Sequence, residues 1–338
     1  MMLDHIPDQA VPAVDPAADI AGGWRRPSPL RLVTYVAGVV AGALLLVAIF
    51  PVASGAPWRS VATTVAAIPA ASLLALVALW AVGLVAHTVT LAAALRGLSH
   101  RRALLLSLTG SAVANVLPLG GAAGIALNYR MASSWGFTPS GFASYTVVTN
   151  LWDVLAKLLL PVLVVPLLWT GLPVGAGLGH AITASVVALP LLGAVAAVLI
   201  AHPWALGRLG ARVERVRALV ADTVSTAWQR LTVGMALYTL LLFALLASSL
   251  AASGAGVPLS VVLLAFCAER IATLASLTPG GLGLVEVGLA GALMLAPGAN
   301  SAGVAAGVLL YRALTFGLEI PVGGLLLAGW TWRQRATA

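Results

Sequence analysis

The chain has 338 residues, of which 61% are hydrophobic and 8% are charged, with a formal net charge of +8 and a mean hydropathy of +1.04. Soluble domains usually carry about 25% charged residues, so this chain has too little polar surface to cover a water-exposed globule. Its apolar runs are long and continuous rather than alternating, which argues against a transmembrane β-barrel. The composition therefore predicts an all-α polytopic membrane protein. The bases do not cluster among aromatic residues, so no nucleic-acid partner is expected.

In chain order, the first segment is polar. Residues 1–29 are rich in Pro, Ala and Asp and lack an apolar stretch, so we expect a disordered cytoplasmic tail rather than a signal peptide. Residues 30–332 would form the membrane domain, and residues 333–338 a cytoplasmic C-terminus. Because a spanning helix needs about 20 mostly apolar residues, the sequence predicts six full spans, at 31–50, 71–95, 142–169, 181–201, 233–253 and 302–330.

Two further apolar segments, 104–132 and 259–296, are interrupted by glycine and proline. The interrupting residues are Pro118, Gly120 and Gly121 in the first segment and Pro279, Gly280 and Gly281 in the second. Lipid tolerates such a break only where protein or a cavity lines it. Each segment is therefore predicted to form a re-entrant pair of short helices, although two full crossings would fit the distribution of charges equally well.

The arginines between the segments indicate the orientation of the segments in the membrane. If each broken pair returns to its own side, the arginines at the segment ends all fall in the cytoplasm except Arg59, which predicts that both termini are cytoplasmic. The two pairs then open from opposite faces. Paired broken segments in two halves are typical of an inverted repeat with a substrate site near the bilayer midplane. The alternative is that these glycines and prolines serve helix packing alone.

The polar stretch 202–232 carries leucine and valine along one helical face and arginines along another. This pattern predicts an interfacial amphipathic helix on an anionic inner leaflet, acting as an anchor rather than a binding site.

Seven ionisable residues lie inside predicted membrane segments, where each costs about 2.5–3.5 kcal/mol on insertion scales. They are Asp153, Lys157, Glu269, Arg270, Glu286, Arg312 and Glu319. Four acids and three bases allow nearly complete mutual pairing. Asp153 and Lys157 are four residues apart, so they share a helix face and are expected to pair. Glu269 and Arg270 are adjacent, so we expect them to point to different faces and at least one to find a partner elsewhere.

Glu286 lies close to the second break. If Thr278 caps the following half-helix and Pro279 begins it, Glu286 lies in the early turns, where the helix dipole favours an anion. The carboxylate would then either order the break or accept a headgroup or a proton. The free N–H groups of the Gly280–Gly283 turn could equally hold a phosphate.

Other kinds of site have no support in the sequence. His87, His180 and His202 lack metal-ligand spacing, and we expect them to be satisfied core or interfacial residues. The only cysteine, Cys267, is expected to be a small buried hydrophobe. No Ser-His-Asp set, HExxH or phosphate-binding loop is present, so neither a metal, a cofactor nor an enzymatic activity is predicted.

Four sequence blocks also resemble a known family. They are "NVLPLGGAAGIALNYRMASSWG", "NLWDVLAKLLL", "ERIATLASLTPGGLGLVEVGLAGAL" and "LLYRALTFGLEIPVGG". Together they resemble the lysylphosphatidylglycerol synthase transmembrane-region family over about residues 30–330, and PGGLG-x-x-E is the most specific element. The resemblance implies a bundle of the eight-helix type with re-entrant segments that moves a lipid headgroup between leaflets. The functional positions it implies are Asp153, Glu269, Arg270, Glu286 and Arg312.

The chain departs from that family pattern in two ways. The printed residues after the membrane region are too few for an aminoacyl-transferase domain, so we do not expect synthesis of a lysylated lipid from this resemblance. Before Asp153 the chain has Asn150, Leu151 and Trp152, where the family pattern leads us to expect an arginine.

The leading functional prediction is a lipid translocase of the bacterial cytoplasmic membrane, whose substrate is a phospholipid, an aminoacylated lipid or a lipid-linked glycan. Arg270 and Arg312 would neutralise a phosphate, while the acids would engage a cationic group or protons and couple transport to a proton gradient. The predicted binding residues are the seven ionisable residues above together with Asn115, Pro118, Gly120, Gly121, Arg130, Pro279, Gly280, Gly281 and Gly283. A homo-oligomer is possible. The alternatives are a secondary carrier of a soluble solute and a non-transporting accessory protein of cell-envelope synthesis.

Overall fold

The structure, a computed structural model, describes four ranges of the chain: 29–117, 120–168, 210–275 and 279–337. All regular elements in those ranges are helical. Pro118, Thr278 and the predicted span 181–201 lie outside the described residues, as does nearly all of the predicted N-terminal tail.

The first two described ranges form helices α1 to α7. Their bounds are α1 Pro29–Leu44, α2 Phe50–Ser54, α3 Trp58–Ala66, α4 Ala70–Ala94, α5 His100–Val116, α6 Gly120–Ser134 and α7 Pro139–Leu168. A π-helical turn, Leu45–Ile49, joins α1 to α2. The start of α5 is set by Ser99, whose side chain accepts a hydrogen bond from the Arg102 backbone N–H.

The last two ranges form helices α8 to α12. Their bounds are α8 Gly210–Ala252, α9 Leu259–Ala272, α10 Leu284–Leu293, α11 Ser301–Arg312 and α12 Glu319–Thr337. A second π-helical turn, Ala313–Gly317, joins α11 to α12. Asn300 caps α11 by accepting from the Gly303 N–H.

Four helical segments of the described residues are long and apolar enough to cross a membrane. They are Tyr35–Ser54, Ala70–Ala94, Glu214–Ala252 and Ser301–Arg335, and they largely coincide with the predicted spans 31–50, 71–95, 233–253 and 302–330. The predicted span 142–169 is helical as part of α7. The protein is thus a membrane-embedded helical bundle, while the number of full crossings and the side of each terminus stay predictions.

The outer surface of the bundle is apolar, as a surface in contact with hydrocarbon requires. The exposed side chains include Val33, Val85, Val233, Leu240 and Leu325. Inside, one buried cluster surrounds Phe266 and Tyr311, and a second contains Leu106 and Met131.

Glycines allow several helix pairs to approach closely, as small residues commonly do in membranes. A Cβ added at Gly307 of α11 would lie 2.9 Å from the Leu250 Cα of α8. A Cβ at Gly323 of α12 would lie 2.1 Å from the Leu108 carbonyl oxygen of α5. Position 323 is therefore occupied by glycine because α5 leaves no room for a side chain.

The predicted interfacial helix and the span that follows it form a single element. Helix α8 continues without interruption through residues 210–252. Near its start, Asp222 forms an ion pair with Arg96, just after the end of α4, at 3.1 Å. Placement of residues 210–232 at the membrane surface stays a prediction.

Two adjacent glycines test the close approach of α12 and α5. Gly323→Ala places a methyl group against the Leu108 carbonyl, whereas Gly324 has no atom within 4 Å of an added Cβ. We expect Gly323→Ala to lower the free energy of unfolding by about 1–3 kcal/mol through overpacking. Gly324→Ala should be neutral or slightly stabilising because alanine favours helix. Thermal unfolding in detergent would measure both, and equal behaviour of the two variants would contradict the packing.

Candidate functional site

The first broken segment is an antiparallel helix hairpin. Helices α5 and α6 pack so closely that a Cβ added at Gly124 would lie 2.8 Å from the Gly110 carbonyl oxygen. Gly120, at the start of α6, lies against the backbone of Ala114. The predicted pair of short helices is therefore present, and its re-entrant character stays a prediction.

The second break is a glycine turn followed by a short helix. Short 3₁₀ turns at Thr273–Ala275 and Pro279–Gly281 precede α10. Gly280 and Gly283 have φ values of +60° and +79°, a region that side-chain-bearing residues rarely adopt. Helix α10 therefore begins at Leu284 with Gly283 as its N-cap, and the expectation that Pro279 would begin the half-helix is wrong.

Glu286 and Arg312 hold this turn in place. One carboxylate oxygen of Glu286 accepts from the Gly283 N–H at 2.7 Å, and the other accepts from Arg312 Nε at 2.7 Å. A second guanidinium nitrogen of Arg312 donates to the Gly280 carbonyl at 2.8 Å. Glu286 is 2% exposed and Arg312 8% exposed. Of the two roles considered for Glu286, the geometry favours ordering the break, and the Gly283 N–H is already used.

Glu269 and Arg270 pair with each other. The guanidinium of Arg270 donates two hydrogen bonds of 2.5 Å to the Glu269 carboxylate, and a further one to the Tyr311 hydroxyl at 3.2 Å. The expectation that at least one of these neighbours would pair elsewhere is wrong, since the long arginine side chain folds back across the helix. With Arg312 also bound to a carboxylate, a phosphate would have to displace an acid at either base.

The remaining intramembrane charges are Asp153, Lys157 and Glu319. Asp153 and Lys157 form the predicted ion pair at 2.7 Å, with side chains 43% and 17% exposed. Glu319 lies beside the Ser111 hydroxyl and the Trp80 indole, and it forms no ion pair within the described part of the chain. The predicted mutual pairing therefore holds for three acid–base pairs.

A cavity of about 290 Å³ lies between helices α4, α5, α6 and α7. Since a water molecule occupies about 30 Å³ of liquid, this volume corresponds to roughly ten waters. Its lining residues are His87, Leu91, Leu106, Ser107, Gly110, Ser111, Ala114, Gly121, Gly124, Ile125, Asn128, Tyr145, Thr149, Asn150 and Asp153. More than half of them are polar or glycine, which is unusual for the interior of so apolar a bundle.

Two polar atoms at this cavity are buried without a partner. Asn128 Oδ1 and His87 Nδ1 have no hydrogen bond to any described residue, although buried polar atoms are normally satisfied. The His87 ring is stacked on Tyr238 of α8 with centroids 4.2 Å apart. His87 is therefore not the satisfied core residue that the sequence suggested, and both atoms favour a site for water or a polar ligand.

The predicted site residues do not all lie at this cavity. Asp153 and Gly121 line the cavity. Asn115 lies beside the second break, since a Cβ at Gly280 would be 3.1 Å from its Oδ1. Arg130 is on α6 but is not among the lining residues.

The two breaks are neighbours, since Asn115 near the first lies against Gly280 of the second, and α1 contacts both. The Tyr35 hydroxyl of α1 donates to the Val116 carbonyl at the end of α5. Further along α1, a Cβ at Gly42 would lie 2.7 Å from the Leu282 carbonyl oxygen. A role of this junction in substrate binding stays a prediction.

Sequence reasoning missed most of the polar cavity lining. The missed residues are His87, Ser107, Ser111, Asn128, Tyr145, Thr149 and Asn150. One available signal was the spacing of Ser107, Gly110, Ser111 and Ala114, which places small residues on one face of α5. None of these four residues is charged, so a search for intramembrane charges does not find this face of α5.

Comparison with protein-family models matches residues 35–323 to the family described as "Lysylphosphatidylglycerol synthase TM region". The match includes both broken segments and every helix around the cavity, and it confirms the resemblance seen in the sequence blocks. No relative among curated proteins matches the chain.

Removing one partner of the buried Glu286–Arg312 pair should be severe. Arg312→Met leaves a buried carboxylate without its base, so the free energy of unfolding should fall by about 3–5 kcal/mol. In Glu286→Gln/Arg312→Met an amide oxygen still accepts from Gly283, and the loss should be smaller. Denaturation in detergent would compare them, with exposed Arg59→Met as the control. A double variant no more stable than Arg312→Met would contradict the pairing.

Cysteine accessibility tests whether water enters the cavity. The native Cys267 is buried, so it provides a low background. Ser107→Cys should react with a charged, membrane-impermeant thiol reagent, because a thiol in a hydrated cavity can ionise. Val85→Cys, on the apolar outer face and 58% exposed without lipid, should not react in vesicles. Protection of position 107 in vesicles would show that the cavity is dry.

Proposed function

The chain belongs to the lysylphosphatidylglycerol synthase TM region family, and on that premise we propose that it is a lipid translocase of the bacterial cytoplasmic membrane. The observation that carries the proposal is the polar cavity of about 290 Å³ between α4, α5, α6 and α7, with two unpartnered buried atoms at its wall. Such a cavity lowers the cost of moving a polar headgroup through hydrocarbon, because protein groups replace the water that the headgroup loses.

A lateral opening supports a lipid rather than a soluble solute as substrate. Ile125 of α6 lines the cavity and is nevertheless 44% exposed at the outer surface of the bundle. Gly121, one turn earlier, also lines the cavity and is exposed. The cavity thus reaches the apolar surface along α6. A headgroup would lie inside while its acyl chains remain in the bilayer beside α6.

The ion pairs have a structural role in this mechanism. Three acid–base pairs neutralise six intramembrane charges. One of them, Glu286–Arg312, also joins α10 to α11 and supplies hydrogen-bond partners to the irregular backbone of the second break. We therefore assign headgroup contact to the cavity wall and assign the Glu286–Arg312 pair to the framework that supports it.

Reconstitution into liposomes tests translocation directly. Purified protein would be incorporated with acyl-labelled fluorescent lipids of several headgroup types, and reduction of outer-leaflet label would report movement between leaflets. We expect at least one headgroup class to be moved by the wild type. Ser107→Phe should reduce that movement at least about tenfold by filling the cavity, a barrier increase of about 1.4 kcal/mol.

The matched control is Ser133→Phe, an equal substitution at an exposed position near the end of α6. It should behave as wild type. If no lipid moves, or if Ser107→Phe is as active as Ser133→Phe, the translocase proposal is wrong. Transport of a soluble solute without lipid movement would favour the secondary-carrier alternative.

A further inference from the structure

We propose that the cavity binds an uncharged, hydroxyl-rich headgroup, that is, a glycosyl or polyol group, rather than a phosphate or a cation. This inference rests on the proposed translocase function and narrows its substrate class. The evidence is the pairing of the three intramembrane bases, the chemistry of the cavity wall and the size of the cavity.

The bases near the site are already neutralised. Arg270 is held by Glu269 through two hydrogen bonds, and Arg312 is held by Glu286. Neither guanidinium is among the cavity-lining residues. An anionic headgroup in this cavity would therefore meet no free cation in the described part of the chain, and an unpaired charge at bilayer depth is expensive.

A cationic headgroup is disfavoured for the converse reason. Asp153 is the one carboxylate in the cavity lining, and Lys157 lies 2.7 Å from it. The ammonium of Lys157 compensates the charge of that acid, so an arriving cation would have to compete with it. Asp153 can still accept hydrogen bonds from neutral hydroxyl groups, because its side chain is 43% exposed.

The other polar groups of the wall suit hydroxyls. Ser107, Ser111, Tyr145 and Thr149 can each donate and accept, and Asn128 carries both a donor and an acceptor on one amide. A sugar ring presents hydroxyls that likewise donate and accept at neighbouring positions. The unpartnered Asn128 Oδ1 would accept from one such hydroxyl.

His87 supplies the second unpartnered atom and a flat face. Its ring is fixed by stacking on Tyr238, so Nδ1 is held in place at the cavity wall. The cavity has room for roughly ten waters, which suits one compact ring better than a long headgroup. A sugar-sized polyol would thus satisfy both orphaned atoms without bringing in a charge.

The test compares headgroups in one vesicle system. Full-length protein would be reconstituted with acyl-labelled glucosyl diacylglycerol, phosphatidylglycerol or lysyl-phosphatidylglycerol, and counterflow of radiolabelled glucose would be measured in parallel. We expect the neutral glycolipid to move at least about tenfold faster than either charged lipid. Asn128→Leu and His87→Phe should each slow the glycolipid about 3- to 10-fold, because each removes the unpartnered hydrogen-bonding atom at its position. The exposed Ser133→Phe variant, outside the cavity, should behave as wild type.

The possible results separate this inference from the proposed function. If a charged lipid moves as fast as the glycolipid, the headgroup class is wrong while lipid translocation stands. Glucose counterflow without movement of glycolipid would support polyol recognition but overturn the translocase. If no probe moves, both fail. Wild-type glycolipid rates in Asn128→Leu and His87→Phe would overturn the assignment of the cavity wall as the recognition surface.

Discussion

The architecture depends on hydrogen-bond partners for the backbone N–H and C=O groups where a helix is interrupted inside this apolar bundle. At the glycine turn before α10, the Glu286 carboxylate accepts from the Gly283 N–H and the Arg312 guanidinium donates to the Gly280 carbonyl. The two side chains also bind each other, so neither charge is left alone. One ion pair thus fixes the glycine turn, caps the start of α10 and joins both to α11. Because hydrocarbon offers no hydrogen bonds, the backbone groups of such a turn need protein groups as partners.

The need for a partner inside an apolar bundle also explains why most of the intramembrane charges pair with one another and do not line the cavity. Asp153, Glu269 and Glu286 each bind a base, and a buried pair of this kind contributes little net stability relative to apolar residues. The Glu286–Arg312 pair also fixes where α10 meets α11, whereas each of the other two pairs lies within one helix. The polar region left open is the cavity between α4 and α7, whose wall consists mainly of hydroxyls, amides and glycine. Paired charges surround the site, and apart from Asp153 uncharged residues line it.

Much of this could be read from composition and spacing. Apolar runs about 20 residues long predicted the four helical segments that are long and apolar enough to cross a membrane, and the glycine–proline interruptions located both breaks. The i,i+4 spacing of Asp153 and Lys157 predicted their ion pair. These features depend on residues close together in sequence. Two local expectations were wrong. Glu269 pairs with its own neighbour Arg270. Helix α10 begins at Leu284 because three glycines of the preceding turn have positive φ values.

What the sequence determined by itself is the class of protein, the positions of its membrane segments and the family to which it belongs, because hydropathy, helix length and short blocks are properties of contiguous residues. Only the tertiary structure decided which polar groups pair with one another and which have no hydrogen-bond partner among the described residues. Asn128 and His87 are ordinary residues in their own helices. They become candidates for recognition because four helices bring them to one cavity and give neither Asn128 Oδ1 nor His87 Nδ1 a hydrogen-bond partner among the described residues. Partnership depends on distances between remote segments, and no local pattern contains those distances.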